Sequence, residues 1–184
     1  MKSKGVWLNI PNALSLVRLL LIPVIAWLYC AQDKPLAALG VLILSAVTDI
    51  ADGVIARKFN QVSELGKALD PVADKLTQMV TLLCLCARFP VLWIILGLLV
   101  VKEVITGAMS LYAVKKSGKV LSADWHGKVT TVLLYATMGL HMLWPGIPGT
   151  LSRILVALCV GMMLLSALLY AKRNRMLLKG ENHG

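Results

Sequence analysis

The sequence has few charged residues. Asp, Glu, Lys and Arg together make up 15% of its 184 residues, against roughly 25% in a typical soluble domain. Hydrophobic residues make up 58%, so a soluble globular enzyme is excluded and an integral membrane protein is predicted. We expect a single helical membrane domain that covers residues 1–184, with no separate soluble domain.

Cysteine is also scarce, and the few cysteines that occur do not form a recognisable ligand pattern. The sequence has four of them and no C-x-x-C pair. Neither a secreted disulfide scaffold nor a structural zinc site fits their positions inside apolar runs. We interpret them as small apolar packing residues, at Cys30, Cys84, Cys86 and Cys159.

Acidic residues number only nine, yet four aspartates fall within residues 49–74. Asp49 and Asp52 are three residues apart, and Asp70 and Asp74 are four apart, so each pair lies on one face if its segment is helical. Two antiparallel helices would bring these four carboxylates together, and such a cluster needs a counter-charge. Ligands that are all oxygen, without a nearby His or Cys, favour Mg²⁺ or Mn²⁺ over zinc.

Six apolar runs predict six transmembrane helices, at residues 12–31, 36–56, 71–87, 91–114, 128–144 and 151–171. A short interfacial segment is expected at residues 6–10, before the first span. We expect Pro71 to restart a helix at its first turn, where the missing N–H costs nothing. Arg18, inside the first span, is either a snorkelling anchor or a residue that faces a polar cavity.

Basic residues give a formal net charge of +10, and they cluster at the ends of the apolar runs. The N-terminus, the loop after the second span, the segment after the fourth span and the C-terminal tail are all basic. On the other side, the flanks carry only Lys34 and Arg88. The positive-inside rule then predicts a multi-pass cell-membrane protein with both termini and the four aspartates at the cytoplasmic face, and no nucleic-acid partner is needed to explain the charge.

Residues 49–74 follow the spacing D-x2-D-G-x2-A-R-x8-G-x3-D-x3-D. This spacing resembles the signature of the CDP-alcohol phosphatidyltransferase family at every position, and eight fixed residues make the match specific. The resemblance implies six membrane helices around a cytoplasm-facing polar cavity, in a homodimer. It also implies transfer of a phosphatidyl group from CDP-diacylglycerol to a hydroxyl acceptor, with release of CMP.

The resemblance further implies a role for each matching residue. The metal, as two ions, would be bound by Asp49, Asp52, Asp70 and Asp74. Asp74 would in addition act as the catalytic base. CDP-diacylglycerol would be bound by Asn12, Ser15, Gly53, Ala56, Arg57, Ser63 and Gly66. The chemistry agrees, because metal ions can neutralise a diphosphate beside carboxylates, small residues allow a nucleotide to approach a helix closely, and Arg57 offers a planar charged fork for phosphate.

Two acceptors remain open, and a third possibility, inositol phosphate or serine, has less support from the segments that follow. The segments N-I-P-N-A-L-S-L-V-R at residues 9–18 and L-G-K-A-L-D-P-V-A-D-K-L at residues 65–76 most resemble family members that use glycerol 3-phosphate. Later segments depart from that subgroup, since Lys102 and Ser110 stand in place of arginines and Thr130 in place of a lysine. The acceptor phosphate would then be bound by Arg18, Lys102, Lys128 and Arg153. Members that use phosphatidylglycerol as acceptor share the opening segments and are the alternative.

A membrane cation transporter or metal-binding protein would also place carboxylates between its spans. Transporters typically show an internal repeat, with polar breaks near mid-membrane in both halves. This sequence has one polar cluster at one edge and no counterpart in its second half, which favours the enzyme. His126 and His141 are interpreted as a loop donor and as a packed, hydrogen-bonded residue, respectively.

Overall fold

The computed structural model describes residues 10–58, 64–117 and 125–180, with side chains described outside 10–11, 50, 52–58, 64–69, 109–117 and 171–180. Within these ranges the chain has no strand and forms the α-helices α1 (Ile10–Ala26), α2 (Pro35–Lys58), α3 (Glu64–Cys86), α4 (Trp93–Ser117), α5 (Trp125–Leu143) and α6 (Gly149–Gly180). The predicted all-helical class is confirmed for this part of the chain. The interfacial segment lies almost entirely outside the described residues.

Three helical stretches among the described residues are long and apolar enough to cross a membrane: Asn12–Ala31, Pro90–Ala108 and Gly149–Tyr170. A fourth apolar stretch, Pro35–Asp49, is shorter. Apolar side chains such as Leu20 and Ile43 are more than half exposed on these helices, as expected of surfaces that face lipid. A membrane protein is therefore supported, and the full set of six spans stays a prediction.

The helices fall into two compact units. The first unit ends at Arg88, contains α1, α2 and α3, and also takes in Met142–Pro145. In this unit α1 contacts both α2 and α3, and residues such as Ala38, Leu82 and Leu85 are fully or almost fully buried. The second unit begins at Phe89 and contains α4, most of α5, and α6, with contact between α4 and α6.

Helix α1 ends in an irregular turn. Pro23 lies inside α1, and a π-helical turn, Trp27–Ala31, continues the helix to the end of the predicted first span. The N–H of Gln32 donates to the carbonyl of Trp27 at 3.0 Å. Asp33 then adopts a positive φ of 48°, a conformation that Asp tolerates better than most residues. This turn joins α1 directly to α2.

Helix α3 begins at Glu64, and Pro71 lies inside it, so the prediction that a helix restarts at Pro71 is wrong. A proline in a helix removes one N–H donor and normally weakens or bends the helix. Pro71 is the eighth residue of α3, at the start of its third turn, and most of the preceding residues, Glu64–Asp70, have high helix propensity. The early start extends the helix toward Lys58, so that only residues 59–63 separate the two described helical stretches.

The four cysteines are free thiols. Cys84, Cys86 and Cys159 are buried, in agreement with the packing role expected from the sequence, whereas Cys30 is exposed. The Cys159 sulfur lies 3.1 Å from the Thr137 hydroxyl, in a contact between α6 and α5.

Candidate active site

Three of the four predicted metal-binding aspartates have described side chains, and all three belong to the first unit. Asp49 lies on α2, and Asp70 and Asp74 lie one turn apart on α3. Both α3 carboxylates interact electrostatically with Asp49. All three are partly exposed, so a ligand can reach them. The spacing argument, in which two helices bring these carboxylates into one region, agrees with this placement.

The described carboxylates do not by themselves form a metal-binding group. Among the side chains that the structure describes, no three His, Cys, Asp or Glu are arranged to hold an ion together. The fourth aspartate, Asp52, is on α2, but its side chain lies outside the described part. The donor set is nevertheless chemically suited to a hard divalent ion, because it consists of partly exposed carboxylates from neighbouring helices.

Asp49 is paired with an arginine from α1. The Arg18 Nη1 lies 2.6 Å from the Asp49 Oδ1. The Arg18 side chain is 1% exposed, whereas the Asp49 side chain is 45% exposed. Of the two interpretations of Arg18, the snorkelling anchor is contradicted by this burial. A buried guanidinium requires an anionic partner to offset its lost hydration, and Asp49 supplies it.

Asp70 and Asp74 each have their own polar partner. The Ser15 hydroxyl on α1 donates a hydrogen bond to the Asp70 Oδ1. The Gln78 Nε2, one turn further along α3, donates to the Asp74 Oδ2 at 3.1 Å. Sequence reasoning missed Gln78, although its spacing of four residues from Asp74 is the signal for such a pair on a helix. Each described carboxylate therefore has a different donor.

The residues predicted to bind CDP-diacylglycerol are only partly described. Asn12 and Ser15 are buried on α1. The backbones of Gly53, Ala56 and Arg57 lie on α2 and that of Gly66 on α3, whereas Ser63 lies outside the described residues. The roles of these residues stay predictions.

Three of the predicted acceptor-binding cations belong to the second unit. The Lys102 Nζ lies 2.9 Å from the Glu103 Oε1, so this ammonium already has an anionic partner. Lys128 is exposed on α5. Arg153 is exposed on α6, and its Nε donates to the carbonyl of Gly149 at 3.2 Å. None of the described contacts joins these three cations to one another.

The two histidines pack between α5 and α6. His126 lies within α5 and is buried, with its Nδ1 2.9 Å from the Ser166 Oγ, so its interpretation as a loop donor is wrong. The helix begins at Trp125, three residues before the predicted span. His141 is fully buried, with its Nδ1 2.7 Å from the Thr137 carbonyl and its Nε2 2.8 Å from the Ser152 Oγ. The packed, hydrogen-bonded interpretation of His141 is confirmed.

Known proteins resemble this chain over most of its length. A family profile described as CDP-alcohol phosphatidyltransferase matches residues 8–170. The CDP-diacylglycerol–glycerol-3-phosphate 3-phosphatidyltransferase of Sodalis glossinidius is 36% identical over 131 residues, which cover 67% of this chain and 71% of that protein. The protein of the same name from Escherichia coli (strain K12) is 32% identical over 143 residues, which cover 74% and 77%. The Rickettsia typhi protein of that name is 46% identical over 70 residues, 37% of this chain and 39% of that protein.

Proposed function

The chain belongs to the CDP-alcohol phosphatidyltransferase family, and from this premise we propose that it makes phosphatidylglycerophosphate. In this reaction a phosphatidyl group passes from CDP-diacylglycerol to glycerol 3-phosphate, and CMP is released. The observation that carries the proposal is that Asp49 on α2 and Asp70 on α3 contact Arg18 and Ser15, which lie three residues apart on α1. The names of the relatives, which specify glycerol 3-phosphate, support this choice of acceptor.

We propose Mg²⁺ or Mn²⁺, as two ions, for this site. The ions would be held by Asp49, Asp52, Asp70 and Asp74. The partly exposed carboxylates of the described aspartates support this assignment, since such oxygen ligands suit hard divalent cations. When bound, the ions would neutralise the diphosphate and stabilise the departing CMP.

The residues of the chain itself would bind the substrates and move one proton. Arg57 would bind phosphate oxygens with its planar guanidinium, beside the small residues Gly53 and Ala56. Asp74 would accept the proton of the acceptor hydroxyl as that oxygen bonds to the phosphatidyl phosphorus and the bond from phosphorus to the CMP oxygen breaks. The hydrogen bond from Gln78 to the Asp74 Oδ2 would fix the orientation of this carboxylate.

For the cell, we propose a multi-pass protein of the cytoplasmic membrane, a homodimer, with six spans and both termini in the cytoplasm. The three long apolar helical stretches and the basic flanks of the predicted spans support this topology. CDP-diacylglycerol would then enter from the bilayer, and a water-soluble acceptor from the cytoplasm.

A second candidate is cardiolipin synthesis, in which the headgroup hydroxyl of phosphatidylglycerol is the acceptor. One observation favours it. Lys102, a predicted ligand of the acceptor phosphate, already contacts Glu103 at 2.9 Å, and a cation neutralised in this way binds a phosphate less strongly. An acceptor without a phosphomonoester needs fewer free cations.

A CMP-release assay separates the two candidates. Purified protein in liposomes would receive CDP-diacylglycerol, Mg²⁺ or Mn²⁺, and either glycerol 3-phosphate or phosphatidylglycerol as the sole acceptor. We expect CMP with glycerol 3-phosphate, together with phosphatidylglycerophosphate as the lipid product. Release with phosphatidylglycerol alone would establish the second candidate. If folded protein released CMP with neither acceptor, both proposals would be contradicted.

A further inference from the structure

Helix α1 presents a row of buried polar side chains near its start. Asn12, Ser15 and Arg18 are 2%, 0% and 1% exposed. Their spacing of three residues places neighbouring members of the row on one face of the helix. Polar groups buried in a largely apolar helix cost free energy unless they find partners, and α1 contacts both helices that carry the aspartates. This row can therefore interact with α2 and α3 together.

Arg18 is placed to hold Asp49 and not to receive a soluble ligand. Its side chain is 1% exposed and its Nη1 lies 2.6 Å from the Asp49 Oδ1, whereas Asp49 remains 45% exposed. A phosphate in solution has almost no access to this guanidinium. A ligand of Asp49, by contrast, can approach the exposed part of the carboxylate while the arginine fixes its other side.

Ser15 has the same relation to Asp70. Ser15 is completely buried, and its hydroxyl donates to the Asp70 Oδ1. A serine hydroxyl has a single proton to donate, so this bond uses the whole donor capacity of Ser15. Asp70 is partly exposed. Again, a buried group on α1 contacts one oxygen of a carboxylate that solvent can reach.

We propose that Ser15 and Arg18 are positioning residues, which hold Asp70 and Asp49 from one face of α1. One helix would thereby set the orientation of the carboxylates that α2 and α3 supply. The proposal rests on the proposed function for the role of those carboxylates. It differs from the family-based expectation, in which Ser15 contacts the nucleotide and Arg18 the acceptor. Residues that orient metal ligands typically contribute about 10–100-fold to metal affinity or activity.

The positioning role of Ser15 is tested by titrating the protein with Mn²⁺ in the absence of nucleotide. Binding is monitored by electron paramagnetic resonance. We expect Ser15→Ala to weaken Mn²⁺ binding about tenfold. Ser166→Ala is the matched control, because Ser166 is a buried serine on α6 whose hydroxyl lies 2.9 Å from the His126 Nδ1; its Mn²⁺ affinity should equal that of the wild type. Unchanged Mn²⁺ affinity in Ser15→Ala, with a raised KM for CDP-diacylglycerol, would overturn the proposal for Ser15.

The Arg18 part is tested by a double-mutant cycle on thermal unfolding, with EDTA present. The variants are Arg18→Met, Asp49→Asn and the combination of the two. We expect Asp49→Asn to lower Tm by roughly 4–8 °C, because it leaves the buried Arg18 guanidinium without its anion. Arg18→Met should lower Tm by less, because the Asp49 carboxylate is 45% exposed and stays partly hydrated. The Tm of the double variant should fall by much less than the sum of the two single decreases. Additive shifts would overturn the pairing of Arg18 with Asp49.

Steady-state kinetics then separate positioning from acceptor binding. Arg18→Lys keeps the charge but not the planar fork, so we expect Tm near that of the wild type, kcat reduced about tenfold and KM for glycerol 3-phosphate within about twofold. A large increase in KM for glycerol 3-phosphate with kcat unchanged would assign Arg18 to the acceptor. Neither the titration nor the cycle uses turnover. An inactive wild type would therefore contradict the proposed function alone, and additive shifts in an active enzyme would contradict positioning alone.

Discussion

In the first unit, buried donors contact acidic groups that remain partly exposed: Arg18 pairs with Asp49, and Ser15 with Asp70. In the second unit, α5 and α6 are joined by pairs that contain no carboxylate and in which both members are buried. These pairs are His126 with Ser166, Thr137 with Cys159, and His141 with Ser152. When both members of a pair are buried, each satisfies the hydrogen-bonding group of the other, and the pair stabilises packing. A pair with one exposed carboxylate leaves charge available to a ligand, which supports the first unit as the place of the proposed metal site.

The pairs between α5 and α6 also follow the geometry of helix packing. Ser152, Cys159 and Ser166 on α6 are seven residues apart, which is the repeat that keeps side chains along one seam between two helices. In a membrane such hydrogen bonds contribute on average about 0.6 kcal/mol each, with a maximum near 1.7. Their role is therefore to fix how α5 meets α6.

The largest effect that the comparison predicts is that of Asp74→Asn. Loss of the proposed proton acceptor should lower turnover about 10³-fold, within the range for general bases, while binding of CDP-diacylglycerol remains measurable. Asp33→Asn, in the exposed turn after α1, is the matched control and should retain full activity. CMP release and ligand binding would be measured on the same preparations. A loss of binding as large as the loss of turnover would argue against Asp74 as the base.

A stability effect is expected from His141→Leu. This change removes both hydrogen bonds of a fully buried imidazole and should cost about 1–2 kcal/mol, or roughly 3–6 °C in Tm. Activity per folded molecule should stay close to that of the wild type. Ser152→Ala removes the hydrogen bond between His141 and Ser152 from the serine side. The Tm shifts of the two variants should therefore not be additive. A strong loss of activity at unchanged Tm would break the comparison, because it would give the second unit a part in the chemistry.

The smallest effect is expected from Arg88→Gln. The Arg88 guanidinium lies 2.6 Å from the Asp33 carboxylate, with side chains 39% and 72% exposed, and its Cζ lies 5.7 Å from the centre of the Tyr29 ring. An exposed pair of this kind contributes about 0.2–1 kcal/mol, so Tm should fall by no more than about 3 °C. A change as large as that expected of Asp49→Asn would show that exposure does not separate the two ion pairs.

The arrangement of the aspartates in the first unit follows largely from their spacing in the sequence. Aspartates three and four residues apart, on segments with helical patterns, predict the proximity of Asp49, Asp70 and Asp74. The partners of these aspartates could not be predicted in the same way, because the choice between snorkelling and pairing for Arg18 depends on a residue in another helix. Helix ends were less predictable, since Pro71 marks a start only when the residues before it do not already favour a helix. The polar contacts between α5 and α6 were largely missed, because a serine or threonine in an apolar run does not reveal its partner.

The pair between Arg18 and Asp49 also bears on how the chain enters the bilayer. Arg18 leaves the ribosome a full helix before its partner exists, and an arginine within a span opposes insertion, by up to about 2.5–3.5 kcal/mol at the helix centre on the translocon scale. Helix α1 alone therefore enters lipid less readily than its apolar residues suggest. Once α2 has been synthesised, Asp49 can neutralise the guanidinium, so biogenesis should favour insertion of the first two helices together, as a hairpin.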